Sequence, residues 1–338
     1  PADLFVALLS VGGLRPAGRE RRPHLGSELG RPVVFAGPVV SREAPELLGF
    51  VAVEALGHPL VWAALRASGA ELAPIAIDGG GLVIDDLAAL VERRRIRAVY
   101  VTPHHQFPTN VVMPTDRRRA LLALARSHRF AVIEDDYDHE FHYEARPIAP
   151  IASSDETGSV VYLGTLSKLL APGLRLGFLV APRAVIDRMA GVRAAMDIQG
   201  DHAIECAVAE LLEDGELQRH VRRMRAVYHA RRDALVAALR RELSDALTFD
   251  VPAGGMAIWA RVAPTIDLER WVRAGAELGV AFNGARYYAD AGSDLPYVRL
   301  SFTYLDEREL AEAVERMRRA LIAITARAPA KRKSSAAR

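Results

Sequence analysis

From Val51 onward the chain alternates short runs of β-branched and aromatic residues with amphipathic stretches of helical period, and few topologies satisfy that rhythm. The runs FVAVEA, IRAVYVTP, FAVIEDD, SVVYLGT and GFLVAP have the length of single strands and are largely apolar, the pattern of strands covered on both faces. Between two of them, PTDRRRALLALARSHR places Leu121, Leu124 and Ala125 on one helical face. Alternating strand and helix implies an α/β fold with a mostly parallel, doubly wound sheet. With 338 residues, such a chain can bury a large core and carry a second, smaller lobe.

The domain order follows from changes in texture. Residues 1–50 are rich in Gly, Pro and Arg, which predicts an atypical segment with little regular structure. Residues 51–200 carry the large α/β domain. Residues 201–243 read as connecting helices broken at Gly215. LTFDVP, GGMAIWARV, IDLERWVRAGAELGV and YVRLSFTYL then form a small C-terminal α+β domain over 244–325. Its last helix starts at a capping box of Asp306 and Glu309, with Leu310, Val314, Met317 and Leu321 as its buried stripe. The tail, residues 326–338, is basic, rich in small residues and expected to be disordered.

Composition bounds the function. A net charge of +2, with arginines interleaved among acids, does not describe a nucleic-acid surface. The single cysteine, Cys206, leaves no disulfide framework and fits a reducing, cytoplasmic setting. The apolar run LFVALLSVGG is too short to span a bilayer and follows no basic stretch, so no membrane segment is expected. Residue 1 is proline rather than methionine, which fits a processed chain or a piece of a longer one.

The stretch GTLSKLLAPGLRLG concentrates chemistry. Lys168 follows a strand, Thr165 and Ser167 add hydroxyls, and the Pro172–Gly173 turn brings Arg175 back toward the amine. Hydroxyls and a planar guanidinium suit a phosphate; an amine beside them can bond a phosphate-bearing aldehyde. A ring cofactor of that kind also needs an anion at its nitrogen. Asp135, 33 positions before Lys168 in VIEDDYDHEF, is the candidate, and Tyr137 could bond the ring oxygen. The same acidic run, with Asp136, Asp138 and His139, also admits a helix cap or a metal site. No second ligand cluster stands elsewhere in the sequence, so no metal is assigned.

VIEDDYDHEFHY, TPHHQFPTN and YLGTLSKLLAPGLRLGFLV together resemble the pyridoxal 5'-phosphate-dependent aminotransferases of classes I and II, of fold type I. The likeness is greatest to the aminotransferase-like domain of MocR-type regulators in the GntR superfamily, and it runs from about Val51 to Leu321. It implies pyridoxal 5'-phosphate as cofactor and Lys168 as the catalytic lysine that bonds it. It further implies Asp135 as ring-nitrogen partner, Tyr137 as ring-oxygen partner, and Ser167, Arg175 and Thr165 as phosphate ligands. Arg299 in VRLSF matches the arginine that grips a substrate carboxylate, with Arg286 as second choice. A homodimer is implied as well.

Three departures accompany the likeness. The family's NPTG reads FPTN here, with Phe107 in place of the asparagine and His105, Gln106 and Asn110 nearby to compensate. His58 stands where relatives have a tyrosine stacked on the ring, and would stack in its place. The Gly-Ser-Gln segment that offers backbone amides to the phosphate is missing; Gly26 and Ser27 in HLGSEL do not replace it. The resemblance therefore supports two functions. The first is an enzyme moving an amino group between an amino acid and a 2-oxo acid. The second is the effector-sensing, cofactor-binding part of a transcriptional regulator, reaching DNA only through a winged-helix domain that this chain does not contain.

Overall fold

The computed structural model describes the backbone of residues 4–10 and then residues 49–144, 147–197, 200–290 and 294–326. The remainder of the first 48 residues, including Gly26 and Ser27, and the tail from 327 lie outside the described residues. In chain order the elements are β1 Leu4–Ser10, β2 Phe50–Glu54, α1 Pro59–Ala67, β3 Glu71–Ile75, β4 Ile77–Asp78, β5 Gly81–Leu82, α2 Ile84–Val91, β6 Ile96–Val101, α3 Thr115–His128, β7 Ala131–Asp136, β8 Val160–Thr165, β9 Leu176–Pro182, α4 Arg183–Asp197, α5 His202–Glu213, α6 Glu216–Glu242, β10 Leu247–Thr248, β11 Ala257–Val262, α7 Leu268–Glu277, β12 Asn283–Gly284, β13 Tyr297–Ser301 and α8 Glu307–Ala326. One expectation changes at the outset. Leu4–Ser10 is a strand, paired antiparallel with β9 from Leu4↔Pro182 to Ser10↔Leu176. The apolar run LFVALLS outweighs the Gly- and Pro-rich context from which little regular structure was expected.

The chain divides into two compact units, and the division falls inside α6. The first comprises Pro1–Val227, Ala253–Gly255 and Tyr288–Ala291. Its sheet has the order β1-β9-β8-β7-β6-β2-β3, with β3, β2, β6, β7 and β8 mutually parallel and β9 antiparallel to β8. Strands this apolar need cover on both sides, and they have it. Val99, Val101 and Val132 join Leu121, Ala125 and Phe130 in one fully buried cluster. Val51, Val53 and Tyr100 pack with Trp62 in another. The doubly wound, mostly parallel sheet expected from the sequence is thus present. Gly215, between α5 and α6, has φ +69, a left-handed conformation that glycine adopts at helix ends.

The second unit comprises Tyr228–Pro252, Met256–Tyr287 and Gly292–Arg338. Its sheet, β10-β11-β13-β12, is antiparallel throughout. Trp271 of α7 is wholly buried and donates its indole N–H to Met317 O of α8 at 2.8 Å. Asp306 and Glu309 form the reciprocal cap of α8, each side chain accepting the other's backbone N–H, at 2.8 and 2.9 Å. The buried stripe of α8 is Leu310, Val314, Met317 and Ala320; Leu321 is only half-buried, one position around from where the sequence put it. Among the described residues no helix is long and apolar enough to cross a membrane.

Candidate active site

Because β2, β6, β7 and β8 run parallel, their C-terminal ends share one edge of the sheet, where such folds place ligands. Asp135 pairs with Leu163 across β7 and β8, and Thr165 lies two residues further along β8. Ser167 and Lys168 follow at once. The reversal into β9 then returns the chain to the same edge: Thr165 pairs with Gly177, and Leu166 N donates to Leu176 O at 2.9 Å. Arg175, just before β9, is therefore held beside the end of β8. It has φ +50, a conformation that costs a non-glycine residue energy and recurs at functional turns. Thr165 Oγ1 accepts Ser167 N at 3.1 Å, while Lys168 and Arg175 are exposed.

The edge thus brings together Asp135, Tyr137, Thr165, Ser167, Lys168, Arg175 and, after β2, His58. Arg299 belongs to the second unit, half-buried on β13 and paired in register with Trp259 and Asn283. Arg286 is largely exposed and lies 3.6 Å from Asp294 and 3.9 Å from Glu269, as a surface arginine does.

Two residues not singled out in the sequence shape this edge. Tyr100 of β6 donates its phenol to Asp135 Oδ2. Burial lifts the Asp135 carboxyl to about 6, the Tyr100 bond opposes that rise, and Asp136 and Asp138 reinforce it. Glu54, at the end of β2, accepts Thr102 N and Oγ1 at 3.2 and 2.8 Å. Its burial pushes it up to about 7. A carboxylate ending the otherwise apolar run FVAVE was the available signal for Glu54; for Tyr100 the signal needed β6 and β7 to be known neighbours.

Two of the residues expected to compensate for Phe107, Gln106 and His105, are otherwise engaged. The Gln106 amide donates to Leu56 O and Phe107 O and accepts from Thr109 N and Oγ1, so it ties its own turn together. His105 Nδ1 lies 2.8 Å from Asp138 Oδ1, with both side chains buried. Its carbonyl accepts the Tyr137 phenol at 3.1 Å. Phe107 joins aromatic rings instead: His58 at 5.0 Å, Tyr288 at 5.5 Å and Tyr137 at 5.9 Å between centroids. His58 also caps α1, its Nδ1 accepting Leu60 N at 3.3 Å.

The pleat of β7 sends Glu134 and Asp136 to the face opposite Asp135. Glu134 is fully buried and accepts Ile151 N and Ala152 N at 2.8 and 2.9 Å. Asp136 faces a cluster of histidines. His139 Nδ1 lies 2.9 Å from Asp136 Oδ2, and His104 Nε2 lies 2.7 Å from His142 Nε2. Burial carries His104 down to about 3 and His142 down to about 4.

Known proteins place this geometry in context. The family model described as aminotransferase class I and II matches residues 50–317. Aromatic-amino-acid aminotransferase 1 of Thermococcus litoralis is 29% identical over 294 residues, which is 86% of this chain and 68% of that protein. The HTH-type transcriptional regulator TauR of Rhodobacter capsulatus is 32% identical over 272 residues, 80% of this chain and 55% of its own length. Among solved structures, α-aminoadipate aminotransferase LysN of Thermus thermophilus, complexed with N-(5'-phosphopyridoxyl)-L-leucine, superposes with a TM-score of 0.77 at 28% identity, covering 83% of this chain and 74% of that one. The chain spans about half the length of the regulators it matches.

Proposed function

Because the chain belongs to the class I and II aminotransferase family, we propose that it holds pyridoxal 5'-phosphate at the edge formed by β7, β8 and β9. There it would transfer an amino group between an amino acid and a 2-oxo acid. The observation that carries the reading is topological: one reversal of chain and one strand pairing gather a carboxyl, an amine, two hydroxyls and a guanidinium on a single edge. That donor set fits the group. Asp135 would face the ring nitrogen, Tyr137 the ring oxygen, Lys168 the aldehyde, and Thr165, Ser167 and Arg175 the phosphate. When bound, the protonated ring supplies a sink for electrons released at the substrate α-carbon.

The chain's own residues supply the rest. Asp135 would hold a proton on the ring nitrogen, and the bond from Tyr100 keeps the carboxyl aimed while opposing its rise in pKa. Lys168 Nζ would carry the substrate α-proton. Arg299 would fork onto the substrate carboxylate. Phe107 and His58 would close the ring's apolar side. A cytoplasmic homodimer is part of the same reading.

The test is spectroscopic and kinetic. Adding the cofactor should produce a visible absorption band that sodium borohydride fixes covalently to Lys168, and amino-acid and oxo-acid pairs should give ping-pong kinetics. Covalent fixation persisting in Lys168→Ala would remove the assignment. The regulator likeness, at half of those proteins' length, favours a second reading in which the same edge senses an amino acid. Under it, amino acids would change the spectrum with no oxo acid released.

A further inference from the structure

We propose that His104, His139 and His142 form a binding site for one divalent transition-metal ion of the zinc class, on the face of the first unit opposite Asp135. The ligand nitrogens of these three side chains lie within 4.8 Å of one another. They come from two segments that the sheet sets side by side: His104 follows β6, whereas His139 and His142 follow β7, the parallel neighbour of β6. His104 is 2% exposed, so its imidazole is committed to this interior. The ring centroids of His104 lie 4.6 Å from His139 and 4.4 Å from His142.

The spacing of the nitrogens is near what one ion requires, although the closest pair is hydrogen-bonded as it stands. His104 Nε2 and His142 Nε2 are 2.7 Å apart. Two imidazoles bound tetrahedrally at ~2.0–2.1 Å would place those atoms about 3.4 Å apart, so an ion entering between them needs a shift well under one ångström. The surroundings resemble the outer shell that metal sites use. Ligating histidines give their second nitrogen to a carboxylate, which fixes the ring. Asp136 stands in that position. Its Oδ2 lies 2.9 Å from His139 Nδ1, an ion-pair approach in which that nitrogen makes no hydrogen bond. Its Oδ1 faces His104 Nδ1 at 4.0 Å, and both of these atoms are buried without a hydrogen-bond partner. The Tyr162 phenol steadies the carboxylate with a bond of 3.0 Å to Oδ2. His105, the remaining nearby histidine, is excluded because its Nδ1 is paired with Asp138 and its Nε2 is pressed against Gly254, where even an added Cβ would come within 2.4 Å.

Three imidazoles and no thiolate suit zinc, cobalt, nickel or copper rather than calcium or magnesium. Such an ion would tie the segment after β6 to the segment after β7. It would do so independently of the aminotransferase reading, since none of its ligands is among the residues assigned to the cofactor.

The experiment uses tag-free full-length protein, dialysed against chelator and titrated with Co2+ as a visible probe and Zn2+ for stoichiometry. Support would be one equivalent per chain, tetrahedral ligand-field bands displaced by Zn2+, and a higher Tm with metal. His142→Gln, at a half-buried position, should abolish these signals while the far-UV circular dichroism is kept. Asp136→Asn should weaken binding by about 10–100-fold, and Lys168→Ala should bind as the wild type does. Should His104→Gln fail to fold, imidazole 15N shifts of the wild-type protein on Zn2+ addition still identify the ligands. Absence of stoichiometric binding in the wild type, unchanged binding in His142→Gln, or loss of binding in Lys168→Ala would overturn the site.

Discussion

Asp135 and Asp136 follow one another on β7, yet the pleat sends them to opposite faces and into different company. Asp135 meets a phenol and the half-open edge where Lys168 and Arg175 stand. Asp136 meets imidazoles and is 3% exposed. A carboxyl whose neighbours leave one side open can receive a cation from outside, whereas one enclosed by histidines can only order what is already there. Strand period alone therefore divides two chemically identical groups between two environments.

The largest effect expected on this contrast comes from Lys168→Ala, which should lower transamination by about 10²–10⁴-fold and abolish the borohydride-fixed adduct. Steady-state kinetics and mass spectrometry would check it. Asp135→Asn keeps the shape and removes the charge, so kcat should fall by about 10²–10³-fold while Co2+ affinity stays unchanged. Equal losses of both would erase the distinction between the faces. Glu134 shares the Asp136 face but serves the fold, accepting two backbone N–H groups with Arg118 at 4.0 Å. Glu134→Ala should cost about 2–4 kcal/mol in urea unfolding.

Acidity sharpens the comparison further. Burial raises Glu54 and Glu134 from 4.5 to about 7. A carboxyl with a raised folded pKa contributes stability fully below about 4.5 and loses it as pH climbs through about 7. The cofactor-free protein should thus lose roughly 3 kcal/mol at most from each group between those limits, and Glu54→Gln should flatten part of the slope in a Tm-versus-pH series. The smallest effect belongs to the second unit. Asp306→Ala removes half of the α8 cap and should cost about 1 kcal/mol, with neither cofactor spectrum nor metal binding disturbed.

How much of this was legible follows from what pairs with what. The parallel sheet was readable because each strand announces itself by local composition. That Lys168, Asp135 and Arg175 would meet at one sheet edge was readable because hydroxyls, a turn and an acidic strand end accompany them in sequence. Tyr100 and the histidine cluster were not, since their partners lie 35 and 38 residues away and meet only when β6 is set beside β7. The third histidine of the proposed metal site, His104, lies in a segment read for its Phe-Pro-Thr, which is why it was not joined to His139 and His142. Leu4–Ser10 shows the opposite failure, for its apolar run was discounted because of the glycines and prolines beside it.

The antiparallel course of β9 works as a ruler. Arg175 lies seven positions after Lys168, and the Leu166–Leu176 hydrogen bond clamps both ends of that span. Spacing between the amine and the guanidinium is thereby set by loop length rather than by the side chains themselves. Lengthening the span at Pro172–Gly173 would keep every named side chain and still change the distance between the amine and the guanidinium.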